Sequence, residues 1–138
     1  MKKIILASAS PQRRKLMEIL GLPFTVKPSQ AREATTLSKD IAHLVKRNAL
    51  LKARDIATPI KSAVIIGADT VVYSAQKRLI LKPKNLAEAK HNLKELMAGP
   101  HWVYSGIAVV DTSTGKALVD YERTKEFMSK LSDQAIDR

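Results

Sequence analysis

An aspartate inside a long apolar segment is the residue of this sequence best suited to chemistry. Residues 63–73 form a long apolar run in which Asp69 and Thr70 are the polar residues before Tyr73. Such a run predicts a strand buried on both faces, in a sheet that helices cover. Burying a carboxylate there without partners costs about several kcal/mol, which makes Asp69 a candidate cation ligand or catalytic acid or base. The residue types leave open a second interpretation, in which Asp69 caps a turn between two strands.

The N-terminal residues predict a strand, a tight turn and a helix. Residues 4–6 are apolar and residues 7–9 are small. Ser10 is a good helix N-cap, and Pro11 is favoured at the first helical position. Three apolar residues then recur at helical spacing before Gly21, which predicts the end of the helix. They are Leu16, Met17 and Leu20.

Two arginines fall in the first turn of this predicted helix. A helix N-terminus carries a partial positive charge, so Arg13 and Arg14 are unfavourable there unless an anion is bound. The hydroxyl of Ser8 adds a further donor at the same place. The pattern therefore indicates a phosphate site, and the alternative is a solvated basic start of a helix.

A lysine lies at the edge of the second predicted helix. We expect this helix from Ser38, as N-cap, to about Ile56, with an apolar face that includes Val45. Lys52 follows Val45 by seven residues and lies beside that face, not opposite it. The spacing alone is equally compatible with an ammonium group in water and with an ammonium group in a binding site.

The rest of the chain predicts ordinary elements. Short strands are expected at 22–26 and 79–81, a loop at 27–37, and longer strands at 101–111 and 116–128 around a turn at 112–115. A third helix begins with an Asn85–Glu88 capping box, with Lys90, Lys94 and Glu95 on its solvent side. Another helix begins near Ser132.

Composition limits the function classes. A length of 138 residues predicts one domain, residues 1–138, and no apolar run is long enough to span a membrane. The absence of cysteine excludes disulfides and thiolate metal sites, and fits a cytoplasmic protein. A net charge of +11 indicates attraction to polyanions. Only 4% of residues are aromatic, which argues against stacking on single-stranded nucleic acid, although a basic nucleic-acid-binding module stays an alternative.

Five stretches resemble the signatures of the Maf family, nucleoside triphosphate pyrophosphatases first described as septum-formation inhibitors. They are Leu6-Ala7-Ser8 with Ser10-Pro11 and Arg13, Ala49-x-x-Lys52-Ala53, Gly67-Ala68-Asp69-Thr70, Lys82-Pro83, and His101-x-Val103 with Gly106. The chain departs from the family pattern at Gln12, where many members have arginine, at Leu81, where they have glycine, and at Ser105, where they have threonine.

The resemblance implies a fold, a reaction and a set of site residues. The implied fold is α/β, a mixed twisted sheet with flanking helices and a central cleft, similar to inosine triphosphatase. The implied reaction converts a nucleoside triphosphate, with dTTP or UTP expected from the Thr70 that follows the aspartate, to the monophosphate and pyrophosphate. The implied site has Asp69, Lys52 and Lys82 as catalytic residues and Ser8, Arg13, Arg14 and Thr70 on the phosphates. Asp69 and Glu33 would hold a divalent cation, Mg²⁺ or Mn²⁺.

Members of the family continue for roughly a third beyond the length of this chain, so the last part of the fold is expected to be missing. We therefore expect the 138-residue form to be dimeric or larger, or marginally stable, and to be weakly active. A nucleotide-binding but inactive relative is the corresponding alternative. The resemblance also implies a role in nucleotide house-cleaning or cell division.

Overall fold

The computed structural model describes residues 2–31, 40–80 and 85–127. Its strands and helices lie at or near the positions that the sequence patterns predict. The strands are β1 (Lys3–Leu6), β2 (Thr25–Val26), β3 (Ala63–Tyr73), β4 (Leu79–Ile80), β5 (His101–Asp111) and β6 (Ala117–Glu126). The helices are α1 (Pro11–Ile19), α2 (Ile41–Ala57) and α3 (Leu86–Met97). Glu33, Ser38, Leu81, Lys82 and the helix start near Ser132 lie outside the described residues.

The chain forms two compact units. The first comprises Met1–Asp69 and Ser105–Glu122, and the second comprises Thr70–Tyr104 and Arg123–Arg138. The strands follow the order β2-β1-β3-β5-β6, and β4 pairs with β3. Asp69 belongs to the first unit, together with α1 and α2.

Parallel pairing arranges the first strands. β1 is parallel to β2, with Leu6 opposite Val26, and parallel to β3, with Leu6 opposite Ile66. Parallel neighbours need a crossover connection, and α1 provides it between β1 and β2. Helix α2 follows β2 and leads to β3, which pairs with the other side of β1. β4 pairs antiparallel with β3, so the sheet is mixed and the predicted fold class is confirmed.

Helix α2 packs directly on the sheet because two glycines face it. A Cβ at Gly67 on β3 would collide with the carbonyl oxygen of Ala49 and lie 2.8 Å from the nitrogen of Ala53. A Cβ at Gly106 on β5 would collide with the carbonyl of Val45. The small side chains of Ala49 and Ala53 complete the contact, and both are fully buried. Backbone of α2 therefore approaches backbone of the sheet more closely than larger side chains would allow.

The predicted apolar face of α2 is confirmed, and its predicted N-cap is wrong. Ile41, Leu44, Val45, Ala49 and Ile56 are all buried. The N-cap is Asp40, whose side chain accepts a hydrogen bond from the His43 N–H at 2.7 Å. A carboxylate in that place satisfies an unpaired N–H and also opposes the helix dipole, so the helix begins after Asp40 and not after Ser38.

Helix α1 is confirmed in position but not in burial. Ser10 is its N-cap and accepts from the Arg13 N–H, and Gly21 follows with φ of 74°. Of its three periodic apolar residues only Met17 is buried, whereas Leu16 and Leu20 are 62% and 65% exposed. Leu16 and Leu20 share one side of the helix, and Met17 lies about 100° away from Leu16, on the side that packs.

Strand β3 has the predicted bounds and a less complete burial. From Ala63 to Asp69 its odd-numbered residues are buried, and its even-numbered residues up to Ala68 are partly buried. The strand continues through Asp69 without a turn. The interpretation of Asp69 as a turn cap is therefore wrong, and the interpretation as a buried carboxylate is confirmed.

In the second unit, an ion pair joins the β3–β4 turn to α3. Arg78 donates to both carboxylate oxygens of Glu95, at 2.9 and 3.1 Å, and to the Asn92 side chain at 3.1 Å. The Glu95 side chain is only 10% exposed, so its predicted position on the solvent side of α3 is wrong. A guanidinium can bind one helix residue and its neighbour three positions earlier because both lie on one face.

The β5–β6 hairpin has the predicted turn. The Asp111 N–H donates to the Lys116 oxygen at 2.9 Å, and a connection this short requires antiparallel strands. β6 is shorter than the predicted 116–128. Among the helices of the described residues, none is long and apolar enough to cross a membrane.

The glycine contact gives a first prediction. Replacing Gly67 with alanine should lower the free energy of unfolding by about 2 kcal/mol or more, because α2 must move away from β3. Urea unfolding measures the effect. Gly99→Ala is the matched control, since its new Cβ meets only the Ala75 side chain at 3.1 Å. Equal losses in the two variants would contradict the packing described for α2.

The Arg78–Glu95 pair gives a pH-dependent prediction. The hydrogen bond from Arg78 holds the pKa of the Glu95 carboxyl below its ordinary value, against the opposing effect of burial. The stabilisation is therefore complete above the ordinary glutamate pKa and is lost as pH falls through the lowered pKa. Arg78→Leu should be less stable than the original chain at pH 7, and the difference should shrink toward pH 3. Urea unfolding at both values tests this, and a difference independent of pH would contradict it.

Candidate functional site

A buried carboxylate with two donors on one helix forms the centre of the site. Asp69 is on the face of β3 that α2 covers, and its side chain is 4% exposed. Lys52 Nζ lies 3.3 Å from Asp69 Oδ1, and Asn48 Nδ2 donates to Asp69 Oδ2 at 3.1 Å. Each carboxylate oxygen thus has one protein donor, which offsets the cost of burying the charge.

Lys52 is held in the site by two acceptors. Its ammonium donates to the Ala68 carbonyl oxygen at 3.0 Å as well as to Asp69, and its side chain is 13% exposed. A lysine with its head in water would not have these contacts. The alternative of a lysine that lays only its stem on apolar surface is therefore wrong, and the structure brings Lys52 and Asp69 together as predicted.

Asn48 is the site residue that sequence analysis missed. It is almost fully buried on α2, four residues before Lys52, so both side chains lie on the same face of the helix. The available signal was an asparagine in the middle of an otherwise apolar stripe. Buried polar side chains require hydrogen-bond partners, and a buried asparagine one turn from a candidate lysine indicates a shared partner.

A second group of donors lies in the turn between β1 and α1. Arg13 Nη1 donates to Ser8 Oγ at 3.2 Å, and the Ser10 N–H donates to the same oxygen at 3.1 Å. Ser8 is buried, and Ser10 caps the helix by accepting from the Arg13 N–H. The arrangement places a guanidinium and a helix N-terminus side by side, which suits an anion.

Strand register puts the two groups at one edge of the sheet. The Ala7 N–H donates to the Ile66 oxygen at 2.9 Å, just beyond the last β1–β3 pair. Ser8 is the next residue after Ala7, and Asp69 is three residues after Ile66. Both therefore follow the carboxyl end of the parallel pairing, where ligands bind in open α/β sheets.

Two predicted phosphate-binding residues are placed differently. The Arg14 side chain is 64% exposed and lies 3.7 Å from Glu18 on the same helix. Thr70 follows Asp69 in β3, is exposed, and has its side chain on the opposite face of the strand. Glu33 and Lys82 lie outside the described residues.

The donor set fits a cation that arrives with a phosphate ligand. In the described residues no three His, Asp or Glu side chains are grouped to hold a metal. Mg²⁺ commonly binds through one or two carboxylates and completes its shell with water and substrate phosphates. The carboxylate of Asp69 meets that minimum, and the turn that holds Arg13 and Ser8 lies at the same edge of the sheet.

The fold is a mixed α/β sheet that places a buried carboxylate and an anion-suited turn at one edge, and the family follows from the sequence comparison. The chain matches the family described as Maf-like protein over residues 3–138. It belongs to the Maf family, so the predicted resemblance is confirmed.

Named relatives agree with this assignment, and a solved structure shares the fold. The chain is 40% identical over 139 residues to a dTTP/UTP pyrophosphatase of Alkaliphilus oremlandii, covering 100% of this chain and 71% of that protein. It is 38% identical over 138 residues to a dTTP/UTP pyrophosphatase of Dictyoglomus thermophilum, covering 99% and 71%. The structure of the Staphylococcus aureus Ham1 protein superposes with a TM-score of 0.63 at 13% identity, covering 93% of this chain and 72% of that chain. This likeness shows a shared fold.

The two adjacent arginines give a prediction with an internal control. Arg13→Leu should weaken binding of a non-hydrolysable nucleoside triphosphate about tenfold, because a charge-assisted contact beside the helix N-terminus is lost. Arg14→Leu should change the affinity less than about twofold, since Arg14 is exposed and lies beside Glu18. Calorimetric titration measures both variants. Equal losses would show that the contact of Arg13 with Ser8 does not mark the phosphate site.

Proposed function

We propose that this chain is a nucleoside triphosphate pyrophosphatase that releases a nucleoside monophosphate and pyrophosphate and prefers dTTP and UTP. The observation that carries the proposal is the buried Asp69–Lys52 pair at 3.3 Å, in a chain 40% identical to a dTTP/UTP pyrophosphatase. Hydrolysis of a polyanion needs a cation, which neutralises the charge of the substrate, and a carboxylate, which accepts a proton from the attacking water.

In this proposal the turn between β1 and α1 and the lysines bind the phosphates. Arg13, Ser8 and the N–H groups that begin α1 would hold phosphate oxygens, and Lys52 would neutralise charge beside Asp69. Lys82 is proposed as a further cation around the same phosphates. The exposed Arg14, beside Glu18 on α1, would add only a weak, screened attraction for them. Positioning and charge neutralisation supply most of the rate in phosphoryl transfer, which suits a site built from cations and backbone donors.

The reaction is attack of water on the α-phosphorus. The water oxygen forms a bond to phosphorus while the bond from phosphorus to the bridging oxygen of the β-phosphate breaks, and pyrophosphate leaves with that oxygen. Asp69, held by two donors, accepts a hydrogen bond from the water and takes its proton. Lys52 orients the carboxylate in the same step.

A divalent cation, Mg²⁺ or Mn²⁺, would be held by Asp69 together with Glu33 and by the phosphates of the substrate. When bound, it supplies neutralising charge to the leaving pyrophosphate. Residues 3–138 match the family throughout, which supports the treatment of the chain as one Maf-like domain. A cytoplasmic location and a house-cleaning or division-linked role fit this activity, because its substrates are free nucleotides.

Self-association is a further part of the proposal. β6 ends the order of described strands, and nearly all of its residues are exposed. Exposed Leu118, Val119 and Tyr121, and an edge of β6 that no other described strand covers, support a homodimer. The alternative functions, an inactive nucleotide-binding relative and a nucleic-acid-binding module, are outcomes of the following experiment.

A panel of nucleoside triphosphates with Mg²⁺ or Mn²⁺, assayed by pyrophosphate release, tests the proposal. We expect turnover of dTTP and UTP above that of purine nucleotides, and loss of turnover in Asp69→Asn by about a thousandfold with the fold retained. Asn92→Asp, which changes a buried asparagine on α3, is the control for a substitution of the same size.

A purine preference would overturn the proposed substrate, and near-normal turnover in Asp69→Asn would remove Asp69 from the mechanism. Binding without turnover, or binding only to DNA with a steep salt dependence, would support the alternatives.

A further inference from the structure

The side chain of Asn48 has an unusual location for its type. It is 1% exposed, on a helix whose neighbouring side chains Val45 and Ala49 are apolar and buried. An apolar residue would fill the same space without a hydrogen-bonding requirement. An amide in such a place is favourable only if its polar atoms have partners.

The partner of Asn48 is the candidate catalytic carboxylate. Its Nδ2 donates to Asp69 Oδ2 at 3.1 Å, while Lys52 donates to Oδ1. Two donors on different oxygens fix the rotation of the carboxylate plane, which a single donor does not. A carboxylate has about four lone-pair positions, so two remain for a water or a cation.

The backbone makes this geometry reproducible. Asn48 and Lys52 are four residues apart on α2, and α2 is held against the sheet at Gly67, two residues before Asp69 on the same face of β3. Both donors therefore reach the carboxylate from one rigid element.

We propose that Asn48 is a positioning residue, which orients the Asp69 carboxylate so that its free lone pairs face the substrate; this inference rests on the proposed hydrolysis. In this role Asn48 acts on the reaction through Asp69, and the neutral amide orients the carboxylate without adding a second charge beside Lys52.

The first part of the test measures coupling between Asn48 and Asp69 without any need for turnover. Asn48→Leu should raise the unfolding equilibrium constant about tenfold, because it leaves Asp69 Oδ2 without that donor. In an Asp69→Leu background the same change should alter the constant less than about threefold, since no carboxylate remains to be satisfied. If Asp69→Leu does not fold, Asp69→Ala takes its place, because it also removes the acceptor. Equal effects in both backgrounds would show that Asn48 only packs, and would overturn the proposal.

The second part measures the reaction. Asn48→Leu should lower kcat about tenfold or more and leave KM within about threefold, because the carboxylate is misplaced while the phosphate-binding turn is intact. Asn92→Leu, at a buried asparagine that accepts from Arg78, should leave both constants unchanged. A normal kcat in Asn48→Leu would overturn the positioning role. If the original chain hydrolyses no triphosphate, the proposed function fails, and the unfolding measurements still decide whether Asn48 holds Asp69.

Discussion

The close approach of α2 to the sheet is the constraint on which the rest of this structure depends. Gly67 on β3 and Gly106 on β5 leave no side chain between the helix backbone and the strands. Only at that distance can the short amide of Asn48 reach a carboxylate on β3. The same contact buries the apolar face of α2, whose residues form part of the hydrophobic core. Stability and site geometry therefore share one interface, and a change that separates helix from sheet affects both.

The proposed site suits a ligand that brings negative charge. Asp69 has its charge balanced by Lys52 and its second oxygen satisfied by Asn48, so the pair needs no further ion to be buried. Arg13 and the start of α1, in contrast, place positive charge where a helix already has its positive end. A net charge of +11 adds a general attraction for anions. A triphosphate satisfies all of these requirements at once.

Much of the fold could be predicted from local patterns. The β3 run, the capped start of α1 and the apolar stripe of α2 each depend on near neighbours in the chain, and each was confirmed in type and approximate position. The errors arose where distant residues decide the outcome. Leu16 and Leu20 have helical spacing, but spacing does not say which side of a helix another element covers. Glu95 was placed in solvent because its partner, Arg78, lies 17 residues away in the sequence.

In the candidate site, too, individual residues could be predicted from the sequence, whereas their contacts could not. Asp69 could be selected because a carboxylate inside an apolar run is unusual for its surroundings. Lys52 was selected by the family resemblance, since its spacing alone left both interpretations open. Their 3.3 Å contact could not be derived, since it depends on the register of α2 against β3. Asn48 was missed because an uncharged residue gives a weaker signal, although its burial makes it as dependent on a partner as the lysine. Family resemblance supplied the reaction, and the structure supplied the contacts through which the residues would act.

The most direct measurement is a crystal structure of this chain with a non-hydrolysable analogue of dTTP and Mn²⁺, with manganese located by anomalous scattering. The account predicts phosphate oxygens on Arg13 and Ser8 and a manganese peak against the Asp69 carboxylate, with the contacts from Asn48 and Lys52 preserved. Phosphates bound elsewhere, or manganese away from Asp69 while the analogue is fully occupied, would contradict the assignment of this edge of the sheet as the active site.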